Sequence, residues 1–235
     1  MSGLWGPTLK SEYPEVEDIV RSWWTDIWVA ANDRVFQEDV RVVDPNYFEV
    51  FDFELIHGDR STVLREHGGA VISESMARRF FDDEDPIGQT IVFEDLHFDI
   101  SLKVTGIMAD AGPETSWQFE SDCVTATLRT GLGRDFYTRW DQHAAWRPIV
   151  TYVLLREGAD ITHLRAQMPD FMRRHLGEEI AEKQAYRLQD MDRAYLYGVG
   201  DGDANWAMQR VQLYVHIAID AACTRSRDAQ GDWRS

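Results

Sequence analysis

The chain has 235 residues, 44% hydrophobic and 12% aromatic with nine Trp, which is enough apolar surface for a packed core and too much for a disordered chain. Asp and Glu together number 41 against 24 Lys and Arg, a net charge of −17. That balance repels phosphate backbones and anionic lipid, so no nucleic-acid partner is expected.

Residues 1–12 read as a polar lead-in containing Gly and Pro. Pro14 can open a helix at its first position. Val16, Ile19, Val20 and Trp23 then recur at i, i+3, i+4 and i+7, which predicts a helix packed on a sheet. Residues 24–31 and 35–43 read as strands joined at Asn32-Asp33, a hairpin. Asp44-Pro45-Asn46 interrupts the chain. Tyr47, Phe48, Val50, Phe51 and Phe53 then form an aromatic knot on a short helix, read as core rather than as a ligand platform.

Residues 60–69 form a polar linker, and a tight unit follows it. Ala70–Ile72 is a strand and Ser73 can cap a helix, since its hydroxyl accepts from a free N–H. Met76, Ala77, Phe80 and Phe81 give that helix one apolar face. Asp82 to Asp85 make an acidic loop closed by Pro86 and Gly88. Two strands are predicted next, over 90–93 and 98–108, the second alternating at Phe98, Ile100, Leu102 and Val104. The unit reads as an insertion, because the earlier pattern resumes after it.

Residues 117–128 read as extended and 129–147 as irregular. The run 148–155 is the strongest strand, apolar enough to be buried on both faces. Asp160 can cap a helix carrying Ile161, Leu164, Met168, Phe171, Met172 and Leu176 on one face. Pro169 should kink that helix or shift its start. Gly177 suits its end. A last strand is placed around 186–188. Residues 198–205 are rich in turn formers, and 211–219 fit either a strand or a helix. The tail from Asp220 is polar.

Catalytic patterns are missing from the sequence. There is no G-x-S-x-G, no H-E-x-x-H and no G-x-x-x-x-G-K-[ST] phosphate loop. Asp201, Asp203 and Asn205 imitate a calcium loop, but Trp206 and Gln212 stand where Gly and Glu belong. Asp82, Asp83, Glu84 and Asp85 read as a solvated loop. His163 has Glu157 or Asp160 as a local partner and no third ligand. Cys123 and Cys223 are a hundred residues apart, read as two thiols, with a disulfide left open. No catalytic, cofactor-binding or metal residues are assigned, and no cofactor is expected. No signal peptide is visible, and no run of about 18 apolar residues could span a bilayer.

The stretches VISESMARRFF, EDPIGQT and VTGIMAD, in this order, resemble the MacB-like periplasmic core domain of FtsX-like ABC transporter permeases. PEVEDIV, VRVVDPNYFEVFDFELIHGD and YVLLREGADITHL extend the resemblance over residues 3–219. It implies an α/β fold of α+β type: a discontinuous porter-like mixed sheet with helices, plus a smaller sabre-like, β-rich insertion. Residues 1–63 and 118–200 would be the first part, 64–117 the second, and 201–235 a juxtamembrane-like segment and tail. It also implies a non-catalytic periplasmic domain that couples ATP hydrolysis elsewhere to export or mechanotransmission. Its partners would be the membrane helices of a parent permease and an ABC ATPase subunit, with a homodimer allowed. Such domains normally sit between membrane helices, and neither is visible here. Two other readings stay open: a soluble peptide- or ligand-binding module derived from such a domain, and an enzyme with a dispersed acidic site.

Overall fold

The computed structural model describes residues 5–66, 68–94, 99–112, 121–126, 150–178, 181, 187–190 and 212–217. The expected loose lead-in contains a helix, α1 (Trp5–Glu12), and the expected helix after Pro14 is the first half of one long strand, β1 (Val16–Ala31). Val16, Ile19, Val20 and Trp23 are all buried, but they serve different cores on the two faces of a strand. A strand buried on both faces has no alternation, so its apolar positions can fall on a helical spacing by chance. The β-branched Val16, Ile19 and Val20 favour the extended form.

Asn32 and Asp33 take φ of 47° and 58°, the two-residue turn whose twist matches a hairpin. They join β1 to β2 (Arg34–Val43), in register from Ala31↔Arg34 to Ser22↔Val43. The chain then forms α2 (Tyr47–Val50), β3 (Leu55–His57), β4 (Gly69–Ser73), α3 (Glu74–Phe81), β5 (Thr90–Glu94), β6 (Ile100–Met108) and β7 (Cys123–Thr125). Strand pairing closes a ring in the order β2-β7-β4-β6-β5-β1 and back to β2. One face of every strand points inward: Trp23 and Val29, Val40 and Val42, Ala70 and Ile72, Ile91 and Phe93, Leu102 and Val104, and Cys123. The predicted alternation of β6 thus holds from Ile100 on, while Phe98 lies outside the described residues. Met76, Ala77, Phe80 and Phe81 of α3 complete this core, and Ser73 Oγ accepts from the Met76 N–H at 3.1 Å, as its sequence position predicts.

The aromatic knot on α2 covers the outer face of β4 and β7, over Val71 and Val124. Tyr47 stacks on Phe53 at 5.3 Å, and Phe51 meets Tyr152 edge-on at 5.0 Å. Gly106 of β6 lies under this layer. A Cβ there would sit 2.5 Å from Val63 Cγ2 and 2.9 Å from the His57 carbonyl oxygen.

The first half of β1 leaves the ring and pairs with β8 (Val150–Leu155), from Val16↔Leu155 to Ser22↔Val150. After α4 (Ile161–Leu176) come β9 (Arg187–Asp190) and β10 (Gln212–Ile217), with β10 parallel to both β8 and β9. The ambiguous stretch 211–219 is therefore a strand over 212–217, because two neighbouring strands pair with its backbone. One mixed sheet holds both β8 and the hairpin. Asp160 accepts from the Thr162 N–H at 2.8 Å and fixes the start of α4, so Pro169 has not shifted it, and the helix runs through that residue without a break. Leu164, Met168, Phe171 and Met172 bury against Leu9, Tyr13, Ile19, Val153 and Leu155. Gly6 of α1 lies against Ile19 and Thr151, and Thr151 is paired with Leu213 of β10. The first helix and the last described strand thus meet on β8.

Candidate functional site

The densest group of ionisable side chains lies where α3 docks on the ring. Glu38 stands on the inward face of β2, opposite Ile27, in a row whose neighbours are Phe36, Val40 and Val42. Its side chain is 1% exposed. Arg79 of α3 reaches down to Glu38 Oε2 and also holds Asp122 Oδ1 at 3.2 Å. Asp122 ties the strands together: its N–H donates to the Asp39 carbonyl at 2.9 Å, and its carbonyl accepts from the Ser73 N–H at 2.8 Å. Arg34 completes the docking by donating to the Arg79 carbonyl and to Asp82.

Burial pushes the Glu38 carboxyl up to about 7, and the adjacent Asp122 charge adds to that against the pull of Arg79. Among the described residues Glu38 Oε1 has no hydrogen-bond donor, since two facing carboxylates have none until one takes a proton. Cys123 lies on the inner wall nearby. Burial, with Asp122 and Glu38 beside it, raises its thiol far above the reactive range. Acidic side chains do converge here, but Arg79 stands between them, and Glu38 is sealed from anything in solution. The cluster can hold a proton and dock a helix; it offers no nucleophile and no room at its acid for a substrate.

The other candidates separate. Asp82 pairs with Arg34 and Asp85 accepts from the Ile87 N–H, so the acidic loop is tied into turns. His163 Nδ1 lies 3.3 Å from Glu15, and Asp160 caps the helix while its carbonyl accepts from the His163 N–H at 3.1 Å. Among the described residues no three His, Cys, Asp or Glu side chains could hold a metal ion, and no helix could cross a membrane. Asp201, Asp203, Asn205 and Cys223 lie outside the described residues. The sequence reading passed over Glu38 and Arg79. The signal was present on β2, where an acid interrupts the inward row of Phe36, Val40 and Val42.

A family model for the MacB-like periplasmic core domain matches residues 4–171. No curated protein matches the chain. Among solved structures, a domain of a protein described as a permease from Porphyromonas gingivalis aligns with a TM-score of 0.59 at 22% identity, covering 74% of this chain and 77% of that one. The periplasmic region of MacB from Actinobacillus actinomycetemcomitans aligns with a TM-score of 0.51 at 15% identity, covering 72% and 71%.

Proposed function

The chain belongs to the MacB-like periplasmic core domain family, and on that premise we propose that it passes movement, rather than performing chemistry, as the extracytoplasmic domain of an ABC transporter permease. On this reading it works at the periplasmic face of the bacterial inner membrane. ATP is hydrolysed by a separate ATPase subunit, and the parent permease's membrane helices carry the motion to this domain. Residues 64–117 serve as the sabre-like insertion, joined to the rest through the ring.

The observation that supports coupling is the continuity of β1. Its 16 residues span about 50 Å. One half is hydrogen-bonded to β8, against which α1 and β10 lie; the other half is a stave of the ring between β2 and β5. A displacement at α1 and β10 is therefore delivered to the ring through one backbone rather than through a loop. Spin labels at Glu17 and Gln37 in a permease–ATPase complex containing this domain test the idea. Their mutual separation should stay fixed through ATP turnover while both move relative to the membrane segments. A domain that stays still during turnover, or a changing Glu17–Gln37 separation, defeats the proposal.

A further inference from the structure

Beyond the buried Arg41, the outer face of the β1–β2 hairpin is open to solvent. Strand alternation puts Trp24, Asp26, Trp28 and Ala30 on it, and the register places Arg41, Asp39, Gln37 and Val35 directly opposite them. Trp24 is 43% exposed, Trp28 53% and Val35 47%. The outer face of β4 and β7, by contrast, lies under the aromatic knot of α2. Here two indoles stand about 13 Å apart along one strand, with a carboxylate between them. Glu94 of β5 pairs with Trp28 from the other side and adds a third acid. From Trp28 to Ala30 β1 is flanked by both β2 and β5, so there a partner lies across the face rather than adding a strand at an edge.

Asp26 directly opposite Asp39 is a like-charge pair, which costs stability in a sheet. The facing Asp26 carboxyl, with partial burial and the Asp122 charge, holds Asp39 up at about 6. Arg41 shares the face and pulls Asp39 the other way, but it is buried with its guanidinium on Ser22 Oγ, and Asp39 still titrates high. A cation arriving from outside would relieve the pair.

We propose that this face docks an arginine-bearing segment of a partner protein, its guanidinium seated between Trp24 and Trp28 against Asp26 and Asp39. Arginine meets both halves of the surface: it stacks on an indole and forms a forked bond to carboxylate. A second copy of this chain would bring the same acids and another net charge of −17. Anionic lipid would be repelled in the same way. The inference rests on strand register and charge alone, so it stands or falls apart from the coupling role.

The test uses the full chain and a short synthetic peptide of alternating arginine and threonine, with no permease or ATP. Indole N–H signals of Trp24 and Trp28, assigned through Trp24→Phe and Trp28→Phe, should move saturably with a Kd below about 1 mM. The double variant Asp26→Asn, Asp39→Asn loses a repulsion, so it should fold, as a melt will verify, and should bind at least about tenfold more weakly. A peptide with glutamate in place of arginine should leave both signals still. The proposal is overturned by no saturable shift at about 1 mM, by equal binding to the Asn variant, by equal binding of the glutamate peptide, or by phosphatidylglycerol vesicles perturbing the same two indoles.

Discussion

Glu38 shows how one residue can tie stability to pH. Its carboxyl titrates at about 7 in the fold against an ordinary value of 4.5. Between those values the folded chain keeps a proton that the unfolded chain has lost, so stability is full below the lower value and falls as pH rises through the higher one. Asp39 slopes the same way, while Glu12, Asp18, Asp59, Asp82 and Asp160 are lowered and slope oppositely at lower pH. Glu38→Gln isolates the effect, because an amide still accepts from Arg79 and can donate to Asp122. Urea unfolding at pH 5 and pH 8 should show the wild type losing roughly 2–3 kcal/mol more than the variant over that interval. Parallel losses would mean that Glu38 is ionised in the fold throughout.

Among the elements, β1 and the point where β2 departs from it decide the architecture. Asp44 closes that point. Its Oδ2 accepts from the Arg21 backbone N–H and from Nε, both at 2.8 Å, and Oδ1 accepts from Nη2 at 2.7 Å. Both side chains are largely buried, at 12% and 6% exposure. Asn46 adds a bond from Nδ2 to the Ile19 carbonyl at 3.0 Å. Asp44-Pro45-Asn46 was legible as a break in the sequence. Its second task, stapling the end of β2 to β1 where β1 turns to β8, was not, because the partner is 23 residues away. Asp44→Ala leaves a mostly buried guanidinium without its carboxylate and should cost about 2–4 kcal/mol in urea unfolding. Asp44→Asn keeps acceptors and should cost less. Equal small losses for both would make the ion pair incidental.

For the molecule as a whole, the charge of −17 sets the response to salt. Ion pairs such as Arg34–Asp82 and Lys10–Asp18 are exposed and lose a little when screened. The excess of 17 negative charges repels over the whole surface, and screening that repulsion gains more. The Tm should therefore rise as salt goes from about 0.01 to about 0.15 M, as the Debye length shrinks from about 30 to about 8 Å. A fall would show that the local pairs outweigh the net repulsion.

The sequence alone determined what depends on near neighbours. It placed the Asn32-Asp33 turn, the Ser73 and Asp160 caps, the inward alternation of β6 and the apolar face of α3, because each rests on residues a few positions apart. It also carried the family resemblance in the order of its motifs. The tertiary structure decided the rest. Val16 to Trp23 became strand because three separate cores met its two faces. Residues 212–217 became strand because β8 and β9 were there to pair with. Glu38, Arg79 and Asp122 became one cluster, and Trp24, Trp28, Asp26 and Asp39 one surface, only through register. Side-chain periodicity reports which face a residue takes; what waits on that face is set by segments far along the chain.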